Sequence, residues 1–309
     1  VVRQLILLIL YFLEMHIVMK IDTETELTRA IEINKKQAEF YNNISLKEDE
    51  ELFTGYGRNK SANLITKLWA RLRYVHQDAF EDIGVDTIKE QFLIERCKEK
   101  SGGRFLEIGC FRGTRYSDPI IESAGAYTGI DLSSSAISAF QNTVDKDGRS
   151  KKIELIAGDL LQHIPEEKYD VLFAHGVLHH FESPEVLFER LNSLIKPGGI
   201  LLCAEPSQVN KFFKFVRFLY RPFQSDKDWE WPFTEETINH MEKYFSIESG
   251  FGWGRYSMPL SLAHAIPFLG GILQPLYKRI LKRELGQKLS SKVWLNSTVV
   301  LCSRSKKII

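Results

Sequence analysis

The sequence predicts a doubly wound α/β domain built on a mostly parallel sheet. Two observations carry this: five short apolar runs recur at helix-sized intervals, and the segments between them have helical periodicity or helix-stop signals. Composition agrees, since 309 residues that are 44% hydrophobic and 26% charged describe a globular chain with enough apolar material to bury a core. Disordered, collagen-like and polytopic membrane chains are thereby excluded. Forty-one Lys and Arg against forty acidic residues leave a net charge of +1, which offers nucleic acid no general attraction.

Taken in order, residues 1–18 form an N-terminal extension in which Leu5 to Leu13 is unbroken apolar sequence behind Arg3. It is too short to span a bilayer and is followed by no small-x-small cleavage site. It reads as an upstream addition to a domain that starts near Met19, with a membrane-surface anchor as the other reading. Residues 19–100 form a helical preface, where Leu27, Ile31, Ile33 and Ala38 recur near the 3.6 period and a glycine-containing break falls at residues 53–57.

Residues 101–309 then carry the strand rhythm. The runs Arg104–Gly109, Tyr127–Asp131, Ile153–Ile156, Tyr169–Ala174 and Ile200–Glu205 read as buried parallel strands, with helices over Ser134–Val144 and Pro184–Ile195 between them. The second helix is expected to close at Lys196-Pro197-Gly198-Gly199. Phe245–Gly250 and Ser297–Ser303 complete seven strands as a terminal pair. Inserts near 207–232 and 252–295 are expected over one rim of the sheet, and strand-end insertions of this kind often cover ligands.

The four cysteines, Cys97, Cys110, Cys203 and Cys302, are scattered and form no C-x-x-C pair, so neither a metal site nor a disulfide framework is expected and a reducing cytosol is the simplest compartment. The chemistry gathers at the strand ends instead. Gly109 and Gly113 permit a tight turn after the first strand, although the spacing Gly-Cys-Phe-Arg-Gly is not the G-x-G-x-x-G that a dinucleotide favours. Glu107, Asp131 and Asp159 each fall at or just after a strand end, where carboxylates suit the hydroxyls and amine of one nucleoside.

Residues 104–205 resemble the core of class I S-adenosylmethionine-dependent methyltransferases, which have a Rossmann-like sheet. The similarity is carried by Leu106-Glu107-Ile108-Gly109-Cys110 to Gly113, Gly129-Ile130-Asp131-Leu132-Ser133, Ala157-Gly158-Asp159-Leu160, Phe173-Ala174-His175-Gly176-Val177-Leu178-His179-His180-Phe181, and Leu194 to Leu201. The resemblance implies that Glu107 and the Gly109, Cys110 and Gly113 backbone hold the methionine end of S-adenosylmethionine. It implies further that Asp131, with Leu132 beside it, takes the ribose, that Asp159 and Leu160 take the adenine, and that His175 lies beside the sulfonium. Phe111 departs from the family, which usually has a third glycine there; its ring is expected either to crowd the cofactor or to pack against the preface.

His179-His180 is a poor chelating pair, because adjacent helical residues point about a hundred degrees apart. If methyl transfer needs a base, His179 is the first choice and Glu205 the second. The fourth-strand exit lacks the Asn/Asp-Pro-Pro-aromatic run of enzymes that methylate nucleic-acid bases, so the expected acceptor is small or lipophilic. The segments Lys211–Arg221 and Leu260–Arg283 combine cations with apolar residues at helical spacing. They fit a lid with solvated cations, or peripheral contact with an anionic membrane. A non-catalytic cofactor-binding or scaffold protein and a nicotinamide-dependent dehydrogenase are the competing functions.

Overall fold

The computed structural model describes residues 24–43, 64–146, 152–224, 227–266, 268–287 and 293–306. The apolar run of residues 1–18 and the break at 53–57 lie outside the described residues. Among the described residues, three helices precede the sheet: α1 over residues 24–43, α2 (Leu64–Ile83) and α3 (Val85–Lys98). Then come β1 (Arg104–Ile108), α4 (Ser117–Ser123), β2 (Ala126–Asp131), α5 (Ser134–Lys146), β3 (Ile153–Ala157), β4 (Tyr169–His175), α6 (Pro184–Leu194) and β5 (Ile195–Pro206). The chain ends with α7 (Lys211–Tyr220), α8 (Glu235–Tyr244), β6 (Phe245–Trp253), α9 (Ser257–Ser261), α10 (Leu269–Leu285) and β7 (Thr298–Ser305).

The seven strands run in the order β3-β2-β1-β4-β5-β7-β6. β1 to β5 are mutually parallel, and β7 is antiparallel to both β5 and β6, so the terminal pair anticipated from sequence is present. The winding reverses between β1 and β4, which opens a crevice at their carboxyl ends. Continuous burial of Phe105, Leu106, Glu107 and Ile108 reflects helices on both faces of the sheet. One apolar layer joins Phe105, Tyr127, Phe173 and Leu202 to Leu93 and Cys97 of α3 and Tyr277 and Leu281 of α10. The other joins Leu106, Ile108, Leu172 and Leu201 to Phe188, Phe233 and Phe245. The preface helices α2 and α3 therefore share a core with the sheet.

One local expectation is corrected. Lys196-Pro197-Gly198-Gly199 does not form a turn outside the strand: β5 starts at Ile195, immediately after α6, and contains it. Gly198 adopts φ 74° and the β4–β5 register slips between Tyr169 and Val171, so the irregularity is absorbed as a bulge.

Because β6 runs parallel to β5, both inserts leave the same carboxyl rim. The second is tied down by Glu284 of α10, whose buried carboxylate accepts from the Gly254 N–H at 2.8 Å, the Tyr256 N–H at 2.6 Å and the Ser257 hydroxyl at 2.7 Å. In the first, α7 buries Phe213 and Tyr220 yet leaves Phe215, Phe218 and Leu219 at 60%, 73% and 52% exposure. A lid packed by its whole apolar side would have covered them, so that expectation holds for only part of the helix.

Candidate cofactor and catalytic site

The turn after β1 is forced by its backbone. Gly109 and Gly113 have φ of 71° and 88°, and Phe111 between them sits at 49°, in the left-handed region that glycine tolerates best. A Cβ on Gly109 would stand 2.7 Å from Val177 Cγ2, so this glycine also lets the turn lie against the segment after β4. The Phe111 ring is half-buried, with the Arg112 guanidinium 5.3 Å from its centroid, and it is not part of the core cluster that the described preface residues form with the sheet. Its N–H donates to Asp131 Oδ2 at 3.0 Å.

Glu107 is fully buried. It accepts from the hydroxyls of Thr114 at 2.9 Å, Ser117 at 3.1 Å and Tyr127 at 2.7 Å. Burial raises its pKa against the lowering effect of these donors. Through Thr114 and Ser117 the carboxylate is tied to the segment that follows the glycine turn. Cys110 is buried with its thiol pushed well above its usual range by desolvation, and it contributes backbone rather than sulfur chemistry.

Asp131 and Asp159 stand on neighbouring strand ends, with Asp131 paired in register to Ala157. Asp131 accepts from the N–H groups of Phe111 and, at 2.8 Å, Ser133, while burial raises its pKa. Leu132 is half-buried beside it and Leu160 is buried after Asp159. Asp159 Oδ1 accepts from the Leu161 N–H at 2.9 Å and the Asn34 amide at 2.8 Å. Its Oδ2 is buried and has no hydrogen-bond partner among the described residues. Desolvation raises the pKa of Asp159 as well. A buried acceptor oxygen left without a donor is costly, so this carboxylate is suited to a ligand that brings one.

Sequence reasoning missed α1 as part of this rim. Besides Asn34, its Gln37 amide donates to His180 O at 2.9 Å, and its Asn42 side chain accepts from Ser133 Oγ at 3.0 Å and the Ser135 N–H at 3.2 Å. Arg29 pairs with Glu182 at 2.6 Å, and Ala30 packs on Leu161 and Val186. The available signal was the stripe Leu27, Ala30, Asn34, Gln37, Tyr41, which keeps helical spacing while changing from apolar to polar halfway along.

His175 ends β4 with its ring 4.7 Å from that of Tyr116, whose buried hydroxyl has no hydrogen-bond partner among the described residues. Desolvation, reinforced by Lys89, pulls its pKa from 6.5 to about 3, so the imidazole is neutral at pH 7. Further along, His179 Nδ1 lies 2.6 Å from Glu205 Oε2. Glu205 is fully buried, and its Oε1 accepts from the Val177 and Leu178 N–H groups at 3.1 and 2.9 Å. The carboxylate thus fixes both the turn and the His179 ring. His180 instead points Nδ1 at Trp229 O, 2.6 Å away, with its Nε2 3.2 Å from the Tyr41 hydroxyl. The two imidazoles have separate partners, and no group of three or more metal-ligating side chains exists among the described residues. A cavity of about 300 Å3 lies between α1 and the segment after β4, lined in part by Leu178, Phe181, Gln208 and Trp231.

Sheet order, glycine turn and strand-end acids are similar to those of class I S-adenosylmethionine-dependent methyltransferase domains. The Methyltransferase domain family matches residues 106–201. Among curated proteins, the malonyl-[acyl-carrier protein] O-methyltransferase 2 of Ilyobacter polytropus is 30% identical over 129 residues, covering 38% of this chain and 49% of that protein. The ubiquinone biosynthesis O-methyltransferase of Maricaulis maris is 27% identical over 128 residues, covering 41% and 50%. The chain thus spans about half the length of these relatives. Among solved structures, an N-methyltransferase of Bradyrhizobium japonicum in complex with S-adenosyl-L-homocysteine aligns with a TM-score of 0.46 and 15% identity, over 71% of this chain and 86% of that one.

Proposed function

We propose that the chain transfers a methyl group from S-adenosylmethionine to a small or lipid-like acceptor. The observation that carries this is Asp159 Oδ2, buried without a donor one strand away from Asp131. In this reading Asp131 and Leu132 receive the ribose, and Asp159 and Leu160 the adenine. The Gly109, Cys110 and Gly113 backbone receives the methionine end, with Glu107 holding that loop from beneath. The cofactor supplies a methyl group already activated on a sulfonium. The protein's part is then positioning, and a neutral His175 adds no like charge beside that cation.

Where the acceptor carries a proton, His179 is the base. With Nδ1–H donated to Glu205, its Nε2 lone pair is free to accept, and the carboxylate steadies the imidazolium that forms. Glu205 is therefore a positioning residue and not a second base. A small or lipid-like acceptor is in keeping with relatives named for acyl-carrier and ubiquinone substrates. A nicotinamide cofactor is disfavoured by the Gly-Cys-Phe-Arg-Gly loop.

Calorimetry with S-adenosylmethionine, S-adenosylhomocysteine and NAD tests the cofactor. Asp131→Ala is expected to weaken binding of the first two by about 1.5–3 kcal/mol, through loss of a charged acceptor. Unchanged affinity would remove Asp131 from the pocket. Binding without turnover across an acceptor panel would favour a scaffold role.

Peripheral membrane contact is a second reading, favoured by exposed Phe215, Phe218 and Leu219 beside Lys211 and Lys214, which form no ion pair among the described residues. On α10, Phe268 and Ile272 are 91% and 72% exposed ahead of exposed Arg279 and Arg283. No helix among the described residues is long and apolar enough to cross a membrane. Cosedimentation with phosphatidylserine vesicles, released by salt, is the expected result at about 1 kcal/mol per cation near the surface. Retention after deletion of residues 1–18 assigns it to the helices, and no sedimentation at low salt rejects the reading.

A further inference from the structure

We infer that Asn34 of α1 is a positioning residue for adenine recognition: by occupying Asp159 Oδ1 it orients the carboxylate so that the buried Oδ2 is left to a donor that the ligand brings. The inference rests on the S-adenosylmethionine reading of the site. A lone carboxylate at a strand end can rotate and share two donors between its oxygens. Here Oδ1 takes both the Leu161 N–H and the Asn34 amide, and Oδ2 takes neither.

Asn34 is itself held. It is 3% exposed, and its Oδ1 accepts from the Gln37 amide at 3.3 Å, while the same amide group donates to His180 O. Gln37 is 1% exposed. A relay of two buried amides on α1 therefore connects the turn after β4 to the acid after β3. Burying two amides on a helix face that elsewhere packs Leu27, Ala30 and Ile31 is costly unless each is hydrogen-bonded, which these are. The product of the relay is a carboxylate with one saturated and one vacant oxygen. Such a group accepts an exocyclic amine and repels a carbonyl oxygen at the same position.

The test uses the full chain and measures dissociation constants by calorimetry for S-adenosylhomocysteine and S-inosylhomocysteine, which carries a carbonyl oxygen where adenine has its amine. Wild type is expected to prefer the adenine compound by at least about tenfold. Asn34→Leu should weaken the adenine compound about five- to tenfold and leave the inosine compound within about twofold, which collapses the preference. Gln37→Leu, which removes the donor to Asn34 but leaves Asn34 in place, should move the preference in the same direction by less. Thermal melts confirm folding of each variant.

Equal weakening of both compounds by Asn34→Leu would reduce Asn34 to a structural contact and overturn the inference. Tighter binding of both would do the same, by making Asn34 a competitor for the pocket. Loss of preference in Asp159→Asn but not in Asn34→Leu would overturn the inference while sparing the cofactor reading. Failure of wild type to bind either compound would overturn both together.

Discussion

Phe111 occupies a position whose φ of 49° suits glycine, and the conformation costs a side-chain-bearing residue about 1–2 kcal/mol. What keeps it there is the N–H it donates to Asp131, a bond that any residue but proline supplies. Phe111→Gly should therefore retain cofactor affinity and change stability by less than about 1 kcal/mol, because relief of strain is offset by the greater chain entropy of glycine. Phe111→Val should lose about 1–2 kcal/mol of stability and weaken cofactor binding, since a β-branched residue resists this region and pulls the N–H off Asp131. Denaturant melts and calorimetry on both variants check this. The ring lies by Arg112, and the cost at this position is set by backbone conformation, which no residue spacing reports.

Among elements, the turn after β1 and the turn after β4 are fitted to each other. Gly109→Ala would place its Cβ 2.7 Å from Val177 Cγ2 at a φ of 71°, so about 1–3 kcal/mol of overpacking adds to the backbone cost. Val177→Ala in the same chain should recover the overpacking and leave the backbone cost, a partial rescue readable in denaturant melts. Close approach of these turns couples the loop after β1 to the His179–Glu205 pair. The helices are coupled in the same way: α1 and its amides reach Asp159, His180 and Ser133 across a long stretch of sequence. Its helical period was legible, but the partners of its polar residues were not, because nothing local distinguishes an amide bound for a distant carboxylate from one bound for water.

For the whole molecule, His175 gives a pH dependence with a definite sign. Its folded pKa is near 3 against 6.5, so between those values the unfolded chain binds a proton that the folded one refuses. The folded state is then progressively disfavoured as pH falls below about 6.5, by ~1.4 kcal/mol per pH unit for this one group. The groups around it are Lys89, Asp86, Arg115 and the Tyr116 ring. In urea melts from pH 7 to 4.5, His175→Gln should lose less stability than wild type, and parallel profiles would contradict the shift. Asp131 and Asp159 have the opposite sign. Their raised values mean that the folded state holds protons longer, so cofactor affinity should rise with pH until both are ionised. Both inserts leave the same rim as these residues, so a membrane contact there would bring the site to the lipid surface.

The sequence by itself determined the doubly wound, mostly parallel sheet, the terminal strand pair and the placement of Asp131 and Asp159 at or just after strand ends, with His175 and His179 at the exit of the fourth strand. These follow from local patterns, namely runs of buried apolar residues, glycine punctuation and acids at fixed offsets. Tertiary structure alone decided that Glu107 faces inward on three hydroxyls, that Glu205 orients His179, that Asn34 saturates one oxygen of Asp159, and that α7 leaves much of its apolar side uncovered. Each of those depends on which distant group arrives within about 3 Å, a distance set by packing of the whole chain.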